Sequence, residues 1–175
     1  MVFISIGISG CGKTTYGEYL KTRIKDLKII CPDDIRAELS DISDQTNNGK
    51  VFSIVNSKLE EAMKNNENIY YSATNLTKKN RSNILKLCKK YNQDVIVIIF
   101  YTSYRPDICE KRVRKDLENG VNRSNTVIKD ENGDTIVRYQ YRKFGECMIY
   151  FSELEKEIKE HSKSYRFKHI ECDKE

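Results

Sequence analysis

The feature that most constrains this chain is a glycine-rich turn near its start, where residues 7–14 read Gly-Ile-Ser-Gly-Cys-Gly-Lys-Thr. The turn follows the β-branched run Val2–Ile6, and a helical pattern of apolar residues begins at Thr14. Glycines let the main chain curl so that successive N–H groups point to one centre, and the following helix adds the positive end of its dipole. The spacing G-x-x-x-x-G-K-[ST] between a strand and a helix therefore predicts a P-loop, which binds phosphate groups.

Each part of this loop has an expected role in binding a nucleoside triphosphate, with ATP as the predicted cofactor. Lys13 is expected to reach the β- and γ-phosphates, and Thr14 offers a hydroxyl to a Mg²⁺ ion that also bridges phosphate oxygens. The alternative, a glycine-rich turn that matches by chance, is disfavoured by the strand and helix on either side. The residues predicted to contact the nucleotide here are Gly7, Ser9, Gly10, Cys11, Gly12, Lys13, Thr14 and Thr15.

Strand-like and helix-like segments alternate along the rest of the chain. Short β-prone runs occur at residues 27–31, 69–71 and 95–100, and residues 165–170 alternate as an edge strand does. Helical stripes lie between them, one of them capped by Thr77. Such alternation, with right-handed crossovers, predicts one α/β domain over residues 1–175. Its expected architecture is a three-layer α/β/α P-loop NTPase of the nucleoside or polynucleotide kinase type, with a mainly parallel five-stranded sheet centred on Val2–Ile6.

A basic helix and a polar segment follow the fourth predicted strand. The helix begins at Pro106 and runs to about Asn119, and residues 120–134, which carry glycine-rich turn signals, are expected to be mobile. Helical patterns resume over residues 136–159. Residues 106–145 are therefore predicted to form a basic helical lid.

The segment Pro32-Asp33-Asp34-Ile35-Arg36 follows the second predicted strand, at the sheet edge where ligands of such sheets bind. The Asp33 carboxylate there can take the proton of an acceptor hydroxyl, and Arg36, one helical turn later, can hold an anion of the acceptor. By itself the pattern favours a helix start with an intrahelical ion pair. Behind a P-loop, a general base and its anion anchor become the preferred interpretation.

Three segments in order, residues 7–15, residues 32–36 and Ser72-Ala73-Thr74-Asn75-Leu76, resemble the kinase domain of phage 5′-polynucleotide kinases over most of the chain. The resemblance implies an AAA-type, zeta-toxin-like P-loop kinase in which Asp33 is the general base for a 5′-hydroxyl and Arg36 holds the neighbouring phosphate. It also implies a lid whose arginines close over the triphosphate. The candidates are Arg112, Arg114 and Arg123.

Two features differ from that family. Its third strand ends in S-D-T-N, whereas this chain has Ala73 at the aspartate, so a carboxylate that helps order Mg²⁺ or its water is missing. Asp33 or Asp34 could replace it, because Thr14, phosphates and waters supply most of an octahedral shell. No D-x-D-x-T motif is present, so the phosphatase often fused to such kinases is not expected. Thr74 and Asn75 can orient the acceptor or cap the next turn, and the cap is the preferred interpretation.

Composition excludes other classes of protein. With 38% hydrophobic and 33% charged residues, the chain fits a globular core rather than a disordered or fibrous protein. No run approaches the roughly 20 apolar residues of a membrane span, and no signal peptide is visible. The six scattered cysteines form no C-x-x-C pair and are expected to be reduced thiols, which predicts the cytoplasm, that of the host if a phage or virus encodes the chain. A net charge of +5 favours polyanions but also fits a lysine-rich surface.

Three functions agree with these observations. The leading hypothesis is an ATP-dependent kinase that moves the γ-phosphoryl group to the 5′-hydroxyl end of DNA or RNA, guided by a basic surface around Lys78, Lys79, Arg81 and the lid helix. A kinase acting on a nucleoside, nucleotide or other small alcohol is the alternative among enzymes. A nucleotide-binding switch that transfers no phosphate is the alternative outside them, and Ala73 favours it. No motif indicates the oligomeric state.

Overall fold

The computed structural model describes residues 1–40, 46–121 and 135–172. A five-stranded sheet lies at the centre, and all its neighbouring strands pair in parallel. The strands are β1 (Val2–Ile6), β2 (Lys28–Ile30), β3 (Ile69–Tyr71), β4 (Asp94–Phe100) and β5 (Ser164–Ile170). Their spatial order is β2-β3-β1-β4-β5, so the strand that precedes the P-loop is central and β5 forms an edge, as the sequence predicted.

Helices connect these strands. Within the described residues they are α1 (Lys13–Lys21), α2 (Pro32–Leu39), α3 (Asn48–Lys64), α4 (Lys78–Lys90), α5 (Pro106–Glu118), α6 (Ile136–Ile149) and α7 (Phe151–Glu160), with a 3₁₀ turn at Tyr101–Tyr104. The helical pattern of residues 136–159 therefore forms two helices, because α6 ends at Ile149 and α7 begins at Phe151, with Tyr150 between them. Pro32 opens α2, where its missing N–H costs no hydrogen bond, and Thr77 Oγ1 caps α4 by accepting the Asn80 N–H at 3.2 Å.

The helices cover both faces of the sheet. Phe100 of β4 packs edge to face on Tyr16 of α1, with ring centroids 5.7 Å apart. Phe167 of β5 points to the opposite face, where it packs on Phe151 of α7 at 4.8 Å. All five residues of β1 are buried, which explains why this strand shows little polar alternation. The predicted three-layer α/β architecture is therefore confirmed, and its sheet is wholly parallel.

The predicted lid maps onto α5 and α6, and residues 122–134 between them lie outside the described part of the chain. All six cysteines are free thiols. No helix among the described residues has the length and hydropathy needed to cross a membrane.

Candidate active site

The sheet order brings three strand ends together at one edge. The P-loop follows β1, Thr74 and Asn75 follow β3, and Asp33 follows β2, which are three consecutive strands of the sheet. Ligands of open parallel sheets bind at the carboxyl ends of the strands. The candidate site residues that were predicted from three distant segments therefore lie at the same edge of the sheet.

Two glycines of the P-loop have backbone angles that only glycine adopts easily, with φ of 81° at Gly10 and 103° at Gly12. Neighbouring atoms also leave no space for a side chain at either position. A Cβ on Gly12 would lie 2.7 Å from Cys172 Sγ, and one on Gly10 would collide with the main-chain oxygen of Cys109. The loop is therefore enclosed by α5 and by the segment after β5.

The first half of the loop is fixed by three hydrogen bonds from its own amides. The Gly7 N–H donates to Thr74 O at 3.1 Å, and the Ile8 N–H donates to Ser103 Oγ at 3.1 Å. The Ser9 N–H donates to Gln140 Oε1 of α6 at 2.8 Å. The sequence did not indicate Ser103 or Gln140, because each is more than ninety residues away along the chain and belongs to no recognisable motif.

Lys13 extends over the same half of the loop. Its Nζ donates to Ile8 O at 2.7 Å and to Gly7 O at 3.2 Å. Its main-chain oxygen accepts a 2.8 Å hydrogen bond from Tyr70 Oη, and burial raises the pKa of Tyr70, which keeps this donor protonated. Thr14 and Thr15 follow in the first turn of α1 with exposed side chains.

Asp33 and Arg36 form an ion pair at the start of α2. Arg36 Nη1 donates to Asp33 Oδ1 at 2.5 Å, and Arg36 Nη2 donates to Asn48 Oδ1 at 3.0 Å. The Arg36 side chain is only 6% exposed, whereas Asp33 remains 45% exposed. The intrahelical pair expected from the local pattern is thus present, and the carboxylate of Asp33 stays accessible to solvent.

Asp34 has a different environment from Asp33. Partial desolvation of its exposed side chain raises its pKa first, and the negative charges of Asp33, Glu38 and Glu18 raise it further. Burial also raises the pKa of the neighbouring Cys31 thiol, which disfavours a reactive thiolate there.

Side-chain hydrogen bonds connect the end of β3 to β1. Ser5 Oγ donates to Ala73 O at 2.7 Å, and Asn75 Nδ2 donates to Ser5 O at 2.9 Å. Asn75 Oδ1 is buried and accepts no hydrogen bond from the described residues. Asn75 therefore joins the ends of β3 and β1 and also donates to Ala73 O at 3.4 Å, while Thr77 caps α4 as predicted.

The lid arginines have different positions. Arg112 of α5 donates to Gly10 O at 3.4 Å and to Cys172 O at 2.7 Å, so it contacts the P-loop directly. Arg114 is half exposed and donates to Glu110 Oε1 at 2.7 Å, so the structure does not bring it to the loop. Arg123 lies outside the described residues.

Glu110 joins the two lid helices. Burial favours its neutral form, but hydrogen bonds from Arg114 and Thr135 outweigh burial and lower its pKa. Thr135 Oγ1, at the start of α6, donates to Glu110 Oε2 at 3.1 Å. This contact fixes the start of α6, the helix that carries Gln140.

One basic residue assigned to the surface is buried instead. Arg81 is 5% exposed and donates to Glu157 Oε2 at 2.7 Å and to Asn75 O at 2.8 Å. The prediction that Arg81 guides a nucleic acid is therefore wrong, because its charge is paired inside the protein. Lys78 and Lys79 of the same helix are exposed.

A five-stranded parallel sheet of this order, with a P-loop after its central strand, defines a P-loop kinase fold, and this fold implies nucleotide binding. The chain belongs to the AAA domain family AAA_33, whose sequence profile matches residues 2–132. No curated protein matches this sequence.

Solved structures with the same fold include two from an RNA repair assembly. A chain of the Pnkp1/Rnl/Hen1 RNA repair complex is 16% identical, with a TM-score of 0.69 over 85% of this chain. A chain of another Pnkp1/Rnl/Hen1 complex is 19% identical, with a TM-score of 0.55 over 65% of this chain. The present chain spans only 45% and 38% of those two chains.

A shikimate kinase from Acinetobacter baumannii, solved in complex with shikimate, has the same fold. It is 16% identical with a TM-score of 0.51, and the match covers 99% of this chain and 84% of that one. At this level of identity the likeness is one of fold.

Proposed function

We propose that this protein is an ATP-dependent kinase that transfers the γ-phosphoryl group to the 5′-hydroxyl end of DNA or RNA. The observation that carries the proposal is the half-exposed Asp33 carboxylate, which a buried Arg36 holds on the same sheet edge as the P-loop. A base close to a phosphate-binding loop is what transfer to a hydroxyl requires.

The P-loop is the donor site in this proposal. Its main-chain amides and the Lys13 ammonium bind the β- and γ-phosphates, and Arg112 lies close enough to contact the nucleotide. Residues 1–40, 46–121 and 135–172 contain no cluster of three metal-binding side chains. A Mg²⁺ ion held mainly by phosphates and waters fits this site, because the Thr14 hydroxyl lies exposed in the first turn of α1 and Ala73 supplies no carboxylate. Such an ion, when bound, offsets charge on the phosphate oxygens.

Asp33 acts on the acceptor side. Its free carboxylate oxygen takes the hydroxyl proton while the acceptor oxygen forms a bond to the γ-phosphorus. The bond from that phosphorus to the β,γ-bridging oxygen breaks, and ADP carries away the electron pair. Arg36 holds Asp33 in place through Oδ1, and its buried Nε has no hydrogen-bond partner among the described residues.

A polynucleotide end is the acceptor that two observations support. Exposed Lys78 and Lys79 begin α4, which follows the β3 end of the same edge, and such cations attract a phosphate backbone. The similar chains described above also belong to an RNA repair complex. A small alcohol is the second candidate, because the shikimate kinase fold matches almost the whole chain.

The test offers γ-labelled ATP with a panel of 5′-hydroxyl oligonucleotides, nucleosides, nucleoside monophosphates and shikimate. We expect label on the oligonucleotides only. Lys13→Ala should abolish transfer, and Asp33→Ala should lower the rate about 10²- to 10⁴-fold, the usual contribution of a general base. Lys25→Ala and Glu61→Gln, at exposed positions on other surfaces, are the matched controls.

Other results of the labelling experiment would contradict different parts of the proposal. Label on a small alcohol alone would replace the polynucleotide acceptor by the second candidate. Wild-type rates in Asp33→Ala would refute the base. Slow loss of ATP that no acceptor accelerates would indicate a nucleotide switch, which the missing carboxylate at Ala73 favours.

A further inference from the structure

Gln140 is the residue of α6 that contacts the P-loop. Its Oε1 accepts the Ser9 N–H at 2.8 Å across 131 residues of sequence, in a partly buried position. The sequence drew attention to lid arginines, but this neutral side chain is the one that reaches a loop amide from α6.

The contact fixes the orientation of the Gln140 amide group. Because the Ser9 N–H is a donor, the amide oxygen must face it, and the Nε2 group carries the two remaining donors. No described residue accepts a hydrogen bond from Nε2. A pair of donors is thus held next to the phosphate-binding loop, without an acceptor among the described residues.

The position of this amide indicates which phosphate it would meet. Lys13 Nζ, which in P-loops reaches the β- and γ-phosphates, lies 2.7 Å from the oxygen of Ile8, the residue before Ser9. Arg112 contacts the loop further along, at Gly10 O. Gln140 and Lys13 therefore lie at the same end of the loop, which is the end for the terminal phosphates.

We propose that Gln140 is a nucleotide-binding residue whose Nε2 donates a hydrogen bond to the γ-phosphoryl group, so that the site prefers a triphosphate to a diphosphate. This inference rests on the proposed function, because it requires a nucleotide in the P-loop. The Ser9 N–H holds the amide in place before the nucleotide binds, which reduces the entropy lost on forming the bond. The bond also ties α6 to the γ-phosphoryl group itself.

The experiment measures binding of ADP and of a non-hydrolysable ATP analogue, each with Mg²⁺, by calorimetry. Gln140→Met keeps a neutral side chain of similar length but removes both donors. Gln140→Glu still accepts the Ser9 N–H, cannot donate, and adds a negative charge. We expect the affinity for the ATP analogue to fall about tenfold in Gln140→Met and further in Gln140→Glu, since hydrogen bonds to charged groups are strong. Affinity for ADP should change less than threefold in Gln140→Met.

The ratio of the two affinities separates this role from a purely structural one. If Gln140 only clamped the loop, both nucleotides would lose affinity together and the ratio would stay at the wild-type value, which would overturn the inference. Lys143→Gln, on the same helix but paired with Glu146 in solvent, is the control and should keep the wild-type ratio. A wild-type protein that bound neither nucleotide would instead refute the proposed function itself. Thermal melting of each variant shows whether it is folded.

Discussion

At the scale of single residues, two adjacent carboxylates, Asp33 and Asp34, have different electrostatic surroundings. Asp33 is paired with Arg36, whereas Asp34 faces other negative charges from α1 and α2. A local pattern cannot distinguish the two, since both lie in the first turn of the same helix. The ion pair fits the proposed role of Asp33 on the acceptor side, whereas the fold disfavours ionisation of Asp34.

Asp34→Asn should therefore increase stability at neutral pH. The pKa of Asp34 is higher in the folded protein than in the unfolded chain, where it is near 3.9. Above that pH, ionisation of Asp34 therefore favours the unfolded state and lowers the stability of the protein. The gain should be about 0.5 kcal/mol, because water screens an exposed carboxylate. Urea unfolding at pH 7 checks this, and the difference should shrink as the pH falls below that value. Glu61→Gln on α3 is the control, and a less stable Asp34→Asn at pH 7 would contradict the prediction.

At the scale of elements, a buried ion pair joins helices that are distant in sequence. The side chains of Arg81 in α4 and Glu157 in α7 are 6% and 7% exposed, and the same guanidinium donates to Asn75 O at the end of β3. The pair therefore connects the outer helices with the strand end next to the P-loop. A charge in this position stabilises the fold only while its partner is present.

Glu157→Gln should lower the free energy of unfolding by about 3–5 kcal/mol, because it leaves the Arg81 charge buried without its counterion. Urea denaturation at 25 °C measures the loss. Arg81→Met combined with Glu157→Leu should recover part of it, since no charge then remains buried. If the free energy of unfolding of Glu157→Gln lay within 0.5 kcal/mol of the wild-type value, the pair would contribute little to stability, because a change of that size is usual for a surface substitution.

At the scale of the whole molecule, strand order decides what the active site contains. The carboxyl ends of β2, β3 and β1 are adjacent, while α5, α6 and the segment after β5 approach the P-loop from other directions. A ligand in the loop would thus contact parts of the chain from residue 7 to residue 140. Such a ligand should stabilise the entire domain.

Mg-ATP should raise the melting temperature of the wild-type protein. At a concentration of 100 times the Kd, binding adds about 2.7 kcal/mol. This corresponds to a shift of roughly 5–10 °C for a domain of this size. Differential scanning fluorimetry checks the shift, which should disappear in Lys13→Ala and persist in Lys25→Ala. Equal shifts in both variants would place the nucleotide outside the P-loop.

The sequence by itself determined the features that depend on local chemistry. The P-loop needs glycine at positions 10 and 12, where φ is positive. The β-branched runs and the Thr77 cap indicate where strands and a helix lie, whatever the rest of the chain contains. Strand and helix alternation then restricts the topology to few possibilities, which is why a parallel sheet with β1 at its centre and β5 at an edge could be anticipated.

Only the tertiary structure decided which polar side chains meet. Arg81 was expected on the surface and is buried against Glu157, Asn75 braces two strands, and Gln140 reaches Ser9 across 131 residues. Among the lid arginines, Arg112 contacts the loop and Arg114 does not. The physical reason is that a side-chain partner depends on how distant elements pack, and neither intrinsic propensity nor periodicity contains that information.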